Sequence, residues 1–217
     1  MQKSEGNGVK FYRKVMRVGL YFGTFNPIHV GHLVIANYMT DYTDLDQVWL
    51  VVSPQNPLKN KASLLPDFHR LAIVKAAIDD NPKLRASDIE FKLPKPSYTA
   101  TTLTYLQEKH PTYEFSLIMG EDNLRSLHKW FNHEIILQNY HFYVYPRVLT
   151  DQEEQELEID SSDNLFRNLP NVHICKEAPV MKVSASFIRN AIKEGKDVRY
   201  LLTEPVRKYI DEMNFYR

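Results

Sequence analysis

Short, strongly apolar runs alternate along this chain with longer segments in which apolar and polar residues are mixed. Runs such as QVWLVVS are rich in β-branched residues, which favours strands, while the mixed segments favour helices. We predict strands at 15–23, 47–53, 84–91, 113–120 and 141–146, and helices at 31–42, 66–80, 99–110 and about 130–138. This alternation predicts an α/β fold: a single-domain, doubly wound, Rossmann-like parallel sheet with helices on both faces. In such folds ligands bind beyond the carboxyl ends of the strands.

Composition and charge narrow the classes of function. The 217 residues are 43% hydrophobic, and 27 basic residues balance 27 acidic ones, so no overall field favours nucleic acid or a membrane. Binding of phosphate must therefore be local. Cys175 is the only cysteine, which excludes an internal disulfide framework, and no apolar stretch approaches the roughly 18 residues of a spanning helix. We expect a cytoplasmic protein without nucleic-acid or membrane partners, and leave open whether it forms a homo-oligomer.

The predicted domain spans residues 16–217, and two segments differ from it in composition: one precedes it and one is inserted within it. Residues 1–15 are basic but lack the apolar centre of a secretory signal, so we expect a flexible N-terminal extension. Residues 150–164 carry seven acidic side chains and almost no apolar anchor. We expect this second segment to be a mobile acidic insertion at the surface.

The stretch GLYFGTFNPIHVGH lies where the first predicted strand gives way to the first predicted helix. Backbone N–H groups and the helix dipole hold phosphates at this position in doubly wound folds. Gly23 would permit a close approach of the backbone, and Thr24 offers a hydroxyl. His29 and His32, with Gly31 between them, would point from one face of the first helical turn towards the same anion.

Two imidazoles aimed at a phosphate suit nucleotidyl transfer. In that reaction an acceptor phosphate attacks the α-phosphorus of a nucleoside triphosphate, while the protein positions the reactants and neutralises charge on the oxygens. No nucleophilic side chain is needed, and the sequence has neither a P-loop Gly-Lys-Ser/Thr nor a Gly-x-Ser-x-Gly elbow. A zinc site is the main chemical rival, but this His-x-x-His lacks a nearby Cys and a Glu beside the first His.

The segment GTFNPIHVGH resembles the Gly-Thr/Ser-Phe-Asp/Asn-Pro-x-His-x-Gly-His signature of the nucleotidyltransferase superfamily. Within that superfamily the chain is similar to the bacterial nicotinate-nucleotide adenylyltransferases from about Arg17 to Tyr209. The signature alone would also fit pantetheine-phosphate adenylyltransferases and cytidylyltransferases, so other segments decide the subfamily. The resemblance implies that ATP and nicotinate mononucleotide react to form nicotinate adenine dinucleotide and pyrophosphate, with Mg²⁺ arriving on ATP and no metal ligand from the protein.

Further segments resemble the family's acceptor site. SPQNPLK ends in Lys59, a candidate phosphate contact. PSYTATTL is similar to Ser-Tyr-Thr-x-Asp-Thr-Leu, with Thr101 in place of the aspartate, and opens a predicted helix whose free N–H groups suit a carboxylate. IMGEDNLRSLHKW has the family's spacing from Gly120 to Trp130, whose ring would stack on the nicotinate. Arg147, in YPR, is a further candidate.

The motif VSASFIRNAI resembles the superfamily's Ile-Ser-Ser-Thr-x-Ile-Arg, with Ala185 in place of the second serine. Ser184 is a candidate helix N-cap, and Arg189 would reach back to the triphosphate. The later segment LLTEPVRKYI is similar to the family's final helix, which we expect to pack over the sheet.

The resemblance implies three catalytic residues: His32 for charge on the transferred group, His29 for charge on the departing phosphates, and Arg189. The implied ATP-binding residues are Gly23, Thr24, Phe25, Gly120, Asp122, Ser184, Ser186, Ile188 and Arg189. The implied acceptor-binding residues are Lys59, Ser97, Tyr98, Thr99, Trp130 and Arg147. A non-catalytic nucleotide-sensing module and a metal-dependent hydrolase stay open as other classes, and pantetheine-phosphate adenylyltransferase is the alternative among the enzymes.

Overall fold

Six parallel strands form one sheet in the computed structural model, which describes residues 15–54, 64–146 and 166–217. The strands are β1 (Met16–Gly23), β2 (Gln47–Val52), β3 (Leu84–Ser87), β4 (Tyr113–Gly120), β5 (His141–Tyr145) and β6 (Val172–Ile174). Their order in the sheet is β3-β2-β1-β4-β5-β6. All neighbouring strands pair in parallel, as the alternation of strands and helices predicts.

Helices cover both faces of this sheet. In the described residues they are α1 (Val30–Tyr42), α2 (Asp67–Ile78), α3 (Thr99–Lys109), α4 (Glu121–Arg125), α5 (His133–Asn139), α6 (Ala185–Lys193) and α7 (Glu204–Glu212). Buried side chains of α1, α2, α6 and α7 pack on one face, and those of α3, α4 and α5 on the other. The predicted doubly wound, Rossmann-like α/β fold is therefore confirmed.

Strand β2 contributes buried side chains to the hydrophobic cores on both faces of the sheet. Val48, Leu50 and Val52 are buried among the helices of the first face, whereas Trp49 and Val51 are buried on the second. Successive side chains of a strand point to opposite faces, so a strand between two helical layers must be apolar throughout. This is the reason that QVWLVV has no polar position after its first residue.

The third predicted strand is shorter than expected. Strand β3 ends at Ser87, and a 3₁₀ turn at Ile89–Lys92 follows it. Ile89 is buried in this turn and belongs to the core of the second face, so apolar residues in contact with the core continue beyond the strand. An apolar run by itself does not distinguish a strand from a buried turn.

The helix predicted around 130–138 is also displaced. Trp130 precedes it, between a 3₁₀ turn at Leu127–Lys129 and the start of α5 at His133. Helix α4 and strand β6 were not predicted, because elements of five and three residues are too short to leave a periodic pattern.

The order of the strands places a topological switch point at the carboxyl ends of β1 and β4. From β1 the chain winds outward through β2 and β3 on one side, and then returns to form β4, β5 and β6 on the other. A ligand site is expected where the winding reverses in this way. Gly23 ends β1 and Gly120 ends β4, so two of the predicted motifs lie at this switch point.

Helix α7 packs against α2 and adds Val206 and Ile210 to the core on that face of the sheet. Of the described helices, none is long and apolar enough to cross a membrane. The predicted N-terminal extension lies outside the described residues except for Val15, and the predicted acidic insertion at 150–164 lies wholly outside them.

Candidate active site

The signature turn, residues 23–29, joins β1 to α1. Phe25 has a positive φ of 44°, and Asn26–Pro27 is a cis peptide bond. The Phe25 ring lies on the backbone of Gly23, where a Cβ would come within 2.8 Å of it. The packing of Phe25 therefore requires glycine at this position, and the close approach of a phosphate to Gly23 stays a prediction.

His29 and His32 lie together at the start of α1. Their ring centroids are 3.8 Å apart, and the backbone N–H of His29 donates to Nδ1 of His32 at 3.3 Å. Because Nδ1 of His32 accepts this hydrogen bond, the proton of the neutral ring is on Nε2, which is then a donor. A Cβ at Gly31 would come within 3.1 Å of the His29 ring and 2.8 Å of Val183, so glycine leaves the room that both side chains need.

Burial lowers the pKa of His29 from 6.5 to about 4. The unfolded chain therefore binds a proton at this residue before the folded protein does, and folding is destabilised as pH falls below about 6.5. We expect His29 to reduce the free energy of unfolding by up to about 3 kcal/mol between pH 7 and pH 4. Urea titrations across this range measure the effect, and the stability of His29→Gln should fall less steeply than that of the wild type. Parallel curves would contradict the lowered pKa.

Helix α6 brings the last motif onto the signature turn. Ser184 caps the helix as predicted, since its Oγ accepts a hydrogen bond from the N–H of Phe187 at 3.2 Å. The Arg189 guanidinium donates to the backbone carbonyl of Asn26 at 2.8 Å and to Oγ of Ser186 at 3.1 Å. Two motifs that are far apart in sequence therefore meet at the switch point.

Two of the predicted ATP-binding residues belong to the core. Ile188 is 0% and Phe25 is 2% exposed, and both pack between the sheet and the helices of the first face. Their roles in binding ATP stay predictions, and with the side chains buried a contact from either residue would come from its backbone. Ile188 fits the motif because α6 needs an apolar side chain facing the sheet.

Asp122 lies at the carboxyl end of β4, as the prediction requires. A Cβ at Gly120 would come within 2.5 Å of Oδ1 of Asp122, so the carboxylate folds back over the glycine. Beside it, the hydroxyls of Tyr21 and Tyr145 lie 3.1 Å apart. Burial raises the pKa of Tyr21 well above its ordinary value, and Tyr145 and the charge of Asp122 raise it further. Tyr21 is therefore a neutral hydroxyl at this edge of the sheet.

The two segments predicted to bind the acceptor lie side by side. Tyr98 is the N-cap residue of α3 and Thr99 is its first residue. The Tyr98 ring, 38% exposed, lies 4.9 Å from the ring of Phe131, which is 54% exposed. Trp130 is half-buried and packs against the core of the second face. Phe131 was missed because an exposed aromatic residue leaves no periodic signal, and only its contact with Tyr98 identifies it.

The remaining predicted acceptor residues differ in their placement. The Ser97 hydroxyl is buried, so this residue can meet an acceptor only through its backbone. Thr101, which replaces the aspartate of the family's motif and is not one of the predicted acceptor residues, is exposed in a groove between α3 and α5. Lys59 and Arg147 lie outside the described residues, and their roles stay predictions.

Arg70 of α2 supports the candidate site, although the sequence did not single it out. Its fully buried guanidinium donates to the carbonyls of Thr24 at 2.6 Å, Ser53 at 2.8 Å and Leu65 at 3.0 Å, and to Asp67 at 2.6 Å. It thereby ties the signature turn to the residue that follows β2. In the sequence, Arg70 is indistinguishable from a polar residue on the exposed side of a helix.

Replacing Arg70 with methionine is expected to lower the free energy of unfolding by at least about 2 kcal/mol, because one buried and two partly buried carbonyls lose their donor. Arg199, exposed beside Asp197, provides the control: Arg199→Met should change stability by no more than about 0.5 kcal/mol. Urea denaturation of both variants makes the comparison. Similar small losses would mean that the contacts of Arg70 add no net stability.

The polar side chains gathered at the signature turn suit a phosphate better than a cation. His32 Nε2 and the Arg189 guanidinium are hydrogen-bond donors. In the parts of the chain that the structure describes, no three His, Cys, Asp or Glu side chains come together to hold a metal ion. A magnesium ion bound by phosphate oxygens and its own waters fits this donor set.

Comparisons with known proteins agree with this geometry. The cytidylyltransferase-like family matches residues 20–191. The protein named "Probable nicotinate-nucleotide adenylyltransferase" of Flavobacterium psychrophilum is 58% identical over 93% of this chain and 100% of its own length. The protein of the same name from Christiangramia forsetii is 51% identical over 93% and 98%.

Solved structures show the same fold at much lower identity. The nicotinic acid mononucleotide adenylyltransferase of Plasmodium falciparum, complexed with NaAD, matches with a TM-score of 0.72 at 19% identity, over 93% of this chain and 97% of that one. Its complex with APC matches with a TM-score of 0.71 at 18% identity over the same shares. The identity and coverage of the bacterial relatives decide the family. The chain therefore belongs to the nicotinate-nucleotide adenylyltransferases, a family of nucleotidyltransferases with the cytidylyltransferase-like fold.

Proposed function

We propose that this enzyme transfers the adenylyl group of ATP to nicotinate mononucleotide, releasing pyrophosphate and forming nicotinate adenine dinucleotide. The observation that carries this proposal is the cluster of His29, His32 and Arg189 at the switch point of the sheet. The name of the relative that is 58% identical supports the choice of substrates.

The reaction requires positioned phosphates and no nucleophilic side chain. An oxygen of the acceptor's phosphate attacks the α-phosphorus of ATP, and the bond from that phosphorus to the oxygen bridging it to the β-phosphate breaks. His32 would donate from Nε2 to the phosphoryl group in transfer, where negative charge develops. His29, with a pKa of about 4, would meet the departing phosphates as a neutral imidazole.

The triphosphate would lie across the signature turn and the start of α6. On one side of the site, backbone N–H groups would come from Gly23, Thr24 and Phe25. On the other side, hydroxyl groups would come from Ser184 and Ser186. The Arg189 guanidinium, which donates to Oγ of Ser186 at 3.1 Å, would supply the charge-assisted hydrogen bonds that suit phosphate. The adenosine would lie beyond the end of β4, within reach of Gly120 and of the Asp122 carboxylate.

Nicotinate mononucleotide would lie beside α3. The first N–H groups of a helix have no partner within the helix, and the helix dipole favours an anion there. We assign the ring carboxylate to the N–H groups of Ser97, Tyr98 and Thr99, and the ring to the aromatic surface that includes Trp130 and Phe131. Lys59 and Arg147 are kept for the phosphate as predictions.

Magnesium would arrive with ATP, held by phosphate oxygens and water, and would offset the charge of the triphosphate. The partners in this proposal are therefore small molecules. The cytoplasmic location, the absence of nucleic-acid and membrane partners, and the question of a homo-oligomer stay predictions.

One experiment tests the proposed function directly. The protein is incubated with ATP, Mg²⁺ and either nicotinate mononucleotide, nicotinamide mononucleotide or phosphopantetheine, and the products are identified by mass spectrometry. We expect nicotinate adenine dinucleotide, with pyrophosphate released only when the acceptor is present. Release without an acceptor would indicate a hydrolase, a product from phosphopantetheine alone would indicate the related adenylyltransferase, and binding without turnover would indicate a sensing module.

A further inference from the structure

Asn26, in the middle of the signature turn, connects three separate parts of the molecule. The residue is 2% exposed. Its backbone carbonyl accepts a hydrogen bond from Arg189 at 2.8 Å, and its side-chain Oδ1 accepts one from the N–H of Leu65 at 3.2 Å. The same Oδ1 accepts a second hydrogen bond, at 2.8 Å, from the hydroxyl of Tyr216. A residue that follows the last helix therefore contacts the turn that carries the two histidines.

The end of helix α7 directs the chain back towards this turn. Asn214 has a left-handed φ of 53°, its N–H donates to the carbonyl of Asp211, and the N–H of Phe215 donates to the carbonyl of Ile210. These two hydrogen bonds form a Schellman motif, in which asparagine is one of the few residues that tolerate the left-handed position. The chain leaves the helix in one defined direction as a result.

Phe215 secures the segment against α2. Its ring lies 4.7 Å from the ring of His69, edge to face, and 6.2 Å from the ring of Tyr209. His69 is itself held by the Tyr209 hydroxyl at 3.0 Å from Nδ1. With Phe215 anchored in this way, the next side chain, Tyr216, is directed to the signature turn.

The Tyr216 side chain is half-buried, and its hydroxyl lies near two positive charges. Burial raises its pKa, and the charges of Arg189 and Arg70 act in the opposite direction. Both arginines touch the signature turn, one at the carbonyl of Asn26 and the other at that of Thr24. Tyr216 thus completes a set of three side chains that hold the turn from the side of the first helical face.

We propose that Tyr216 is a positioning residue for adenylyl transfer: its hydroxyl holds the side chain of Asn26, and through it the backbone that presents His29 and His32 to the phosphates. The inference rests on the proposed function. Tyr216 itself acts only through Asn26 and touches no reacting atom. Because Oδ1 of Asn26 keeps its hydrogen bond from Leu65 when the hydroxyl is lost, the turn should loosen without unfolding.

Tyr216→Phe removes this hydroxyl and keeps the ring. We expect kcat to fall about three- to tenfold, the size of effect that one neutral hydrogen bond supports, with KM for nicotinate mononucleotide unchanged. Tyr143→Phe is the matched control, since it removes a hydroxyl that donates to Asp44, in the loop before β2, and has no part in holding Asn26 or Phe215. Its kcat should equal that of the wild type. Circular dichroism and melting temperatures establish that both variants are folded at the assay temperature.

A double-mutant cycle distinguishes positioning from packing. If Tyr216 acts through Asn26, Tyr216→Phe should lower kcat in the wild-type background but cause no further loss of kcat in the Asn26→Ala background. If Asn26→Ala does not fold, the comparison of Tyr216→Phe with Tyr143→Phe decides alone. The inference is overturned if Tyr216→Phe keeps the wild-type kcat, if both phenylalanine variants lose activity equally, or if the two losses in the cycle are additive. A wild-type protein that forms no dinucleotide would instead overturn the proposed function.

Discussion

Replacing His32 with alanine is expected to lower kcat about 100- to 1000-fold and to leave the fold intact, as the loss of one preorganised transition-state donor does in other enzymes. The ring is held in place before any substrate binds. Its centroid lies 3.8 Å from that of His29 and 5.1 Å from that of Phe25, and its Nδ1 is occupied by a backbone N–H. Nε2 is therefore the donor that the transferred phosphoryl group would meet. Steady-state kinetics with nicotinate mononucleotide, ATP and Mg²⁺ measure the loss.

The control for this prediction is another histidine remote from the site. His141 is exposed at the start of β5, at the amino-terminal end of the strands and therefore opposite the site. Its Nδ1 lies 3.0 Å from Nε2 of His173. His141→Ala should keep the wild-type kcat. A folded His32→Ala protein with nearly normal turnover would show that Nε2 of His32 does not stabilise the transition state.

The enzyme is expected to prefer nicotinate mononucleotide to nicotinamide mononucleotide by at least about 100-fold in kcat/KM. The acid ring carries a carboxylate, and the start of α3 at Tyr98 and Thr99 has N–H groups without partners in the helix. Charge-assisted hydrogen bonds contribute about 1.5–3 kcal/mol each, and each 1.4 kcal/mol corresponds to a factor of about ten. Two such bonds to the carboxylate account for the factor, because the neutral amide would turn its own NH₂ towards those donors.

Both mononucleotides are compared at the same saturating ATP and Mg²⁺ concentrations. Thr101, which replaces the acidic residue of the family's motif, removes a negative charge near the start of α3 and should leave the preference intact. Thr101→Asp restores that charge and should narrow the ratio or leave it unchanged, but not widen it. Wild-type ratios within about threefold would rule out recognition of the carboxylate at α3 and indicate dual specificity.

The local features of this protein could be read from its sequence because they depend on neighbouring residues. The apolar run YEFSLIMG forms β4 with the predicted bounds, and Ser184 caps α6 through a contact only three residues along the chain. The parallel order also follows, since strands separated by helices need crossover connections. The prediction was wrong where the apolar pattern is ambiguous. The buried Ile89 was predicted to lie in a strand but lies in a 3₁₀ turn.

The sequence by itself determined the alternating elements, the doubly wound class and the motifs at the strand ends. Only the tertiary structure decided which side chains support those motifs. Arg70 reaches Thr24 across 46 positions and Tyr216 reaches Asn26 across 190, and Phe131 is identified only by its contact with Tyr98. Such contacts carry no local signal, because a hydrogen bond between distant residues depends on how the helices pack against the sheet. The same packing places the side chains of Phe25 and Ile188 in the core, because the side of α6 that faces the sheet and the inside of the signature turn exclude solvent.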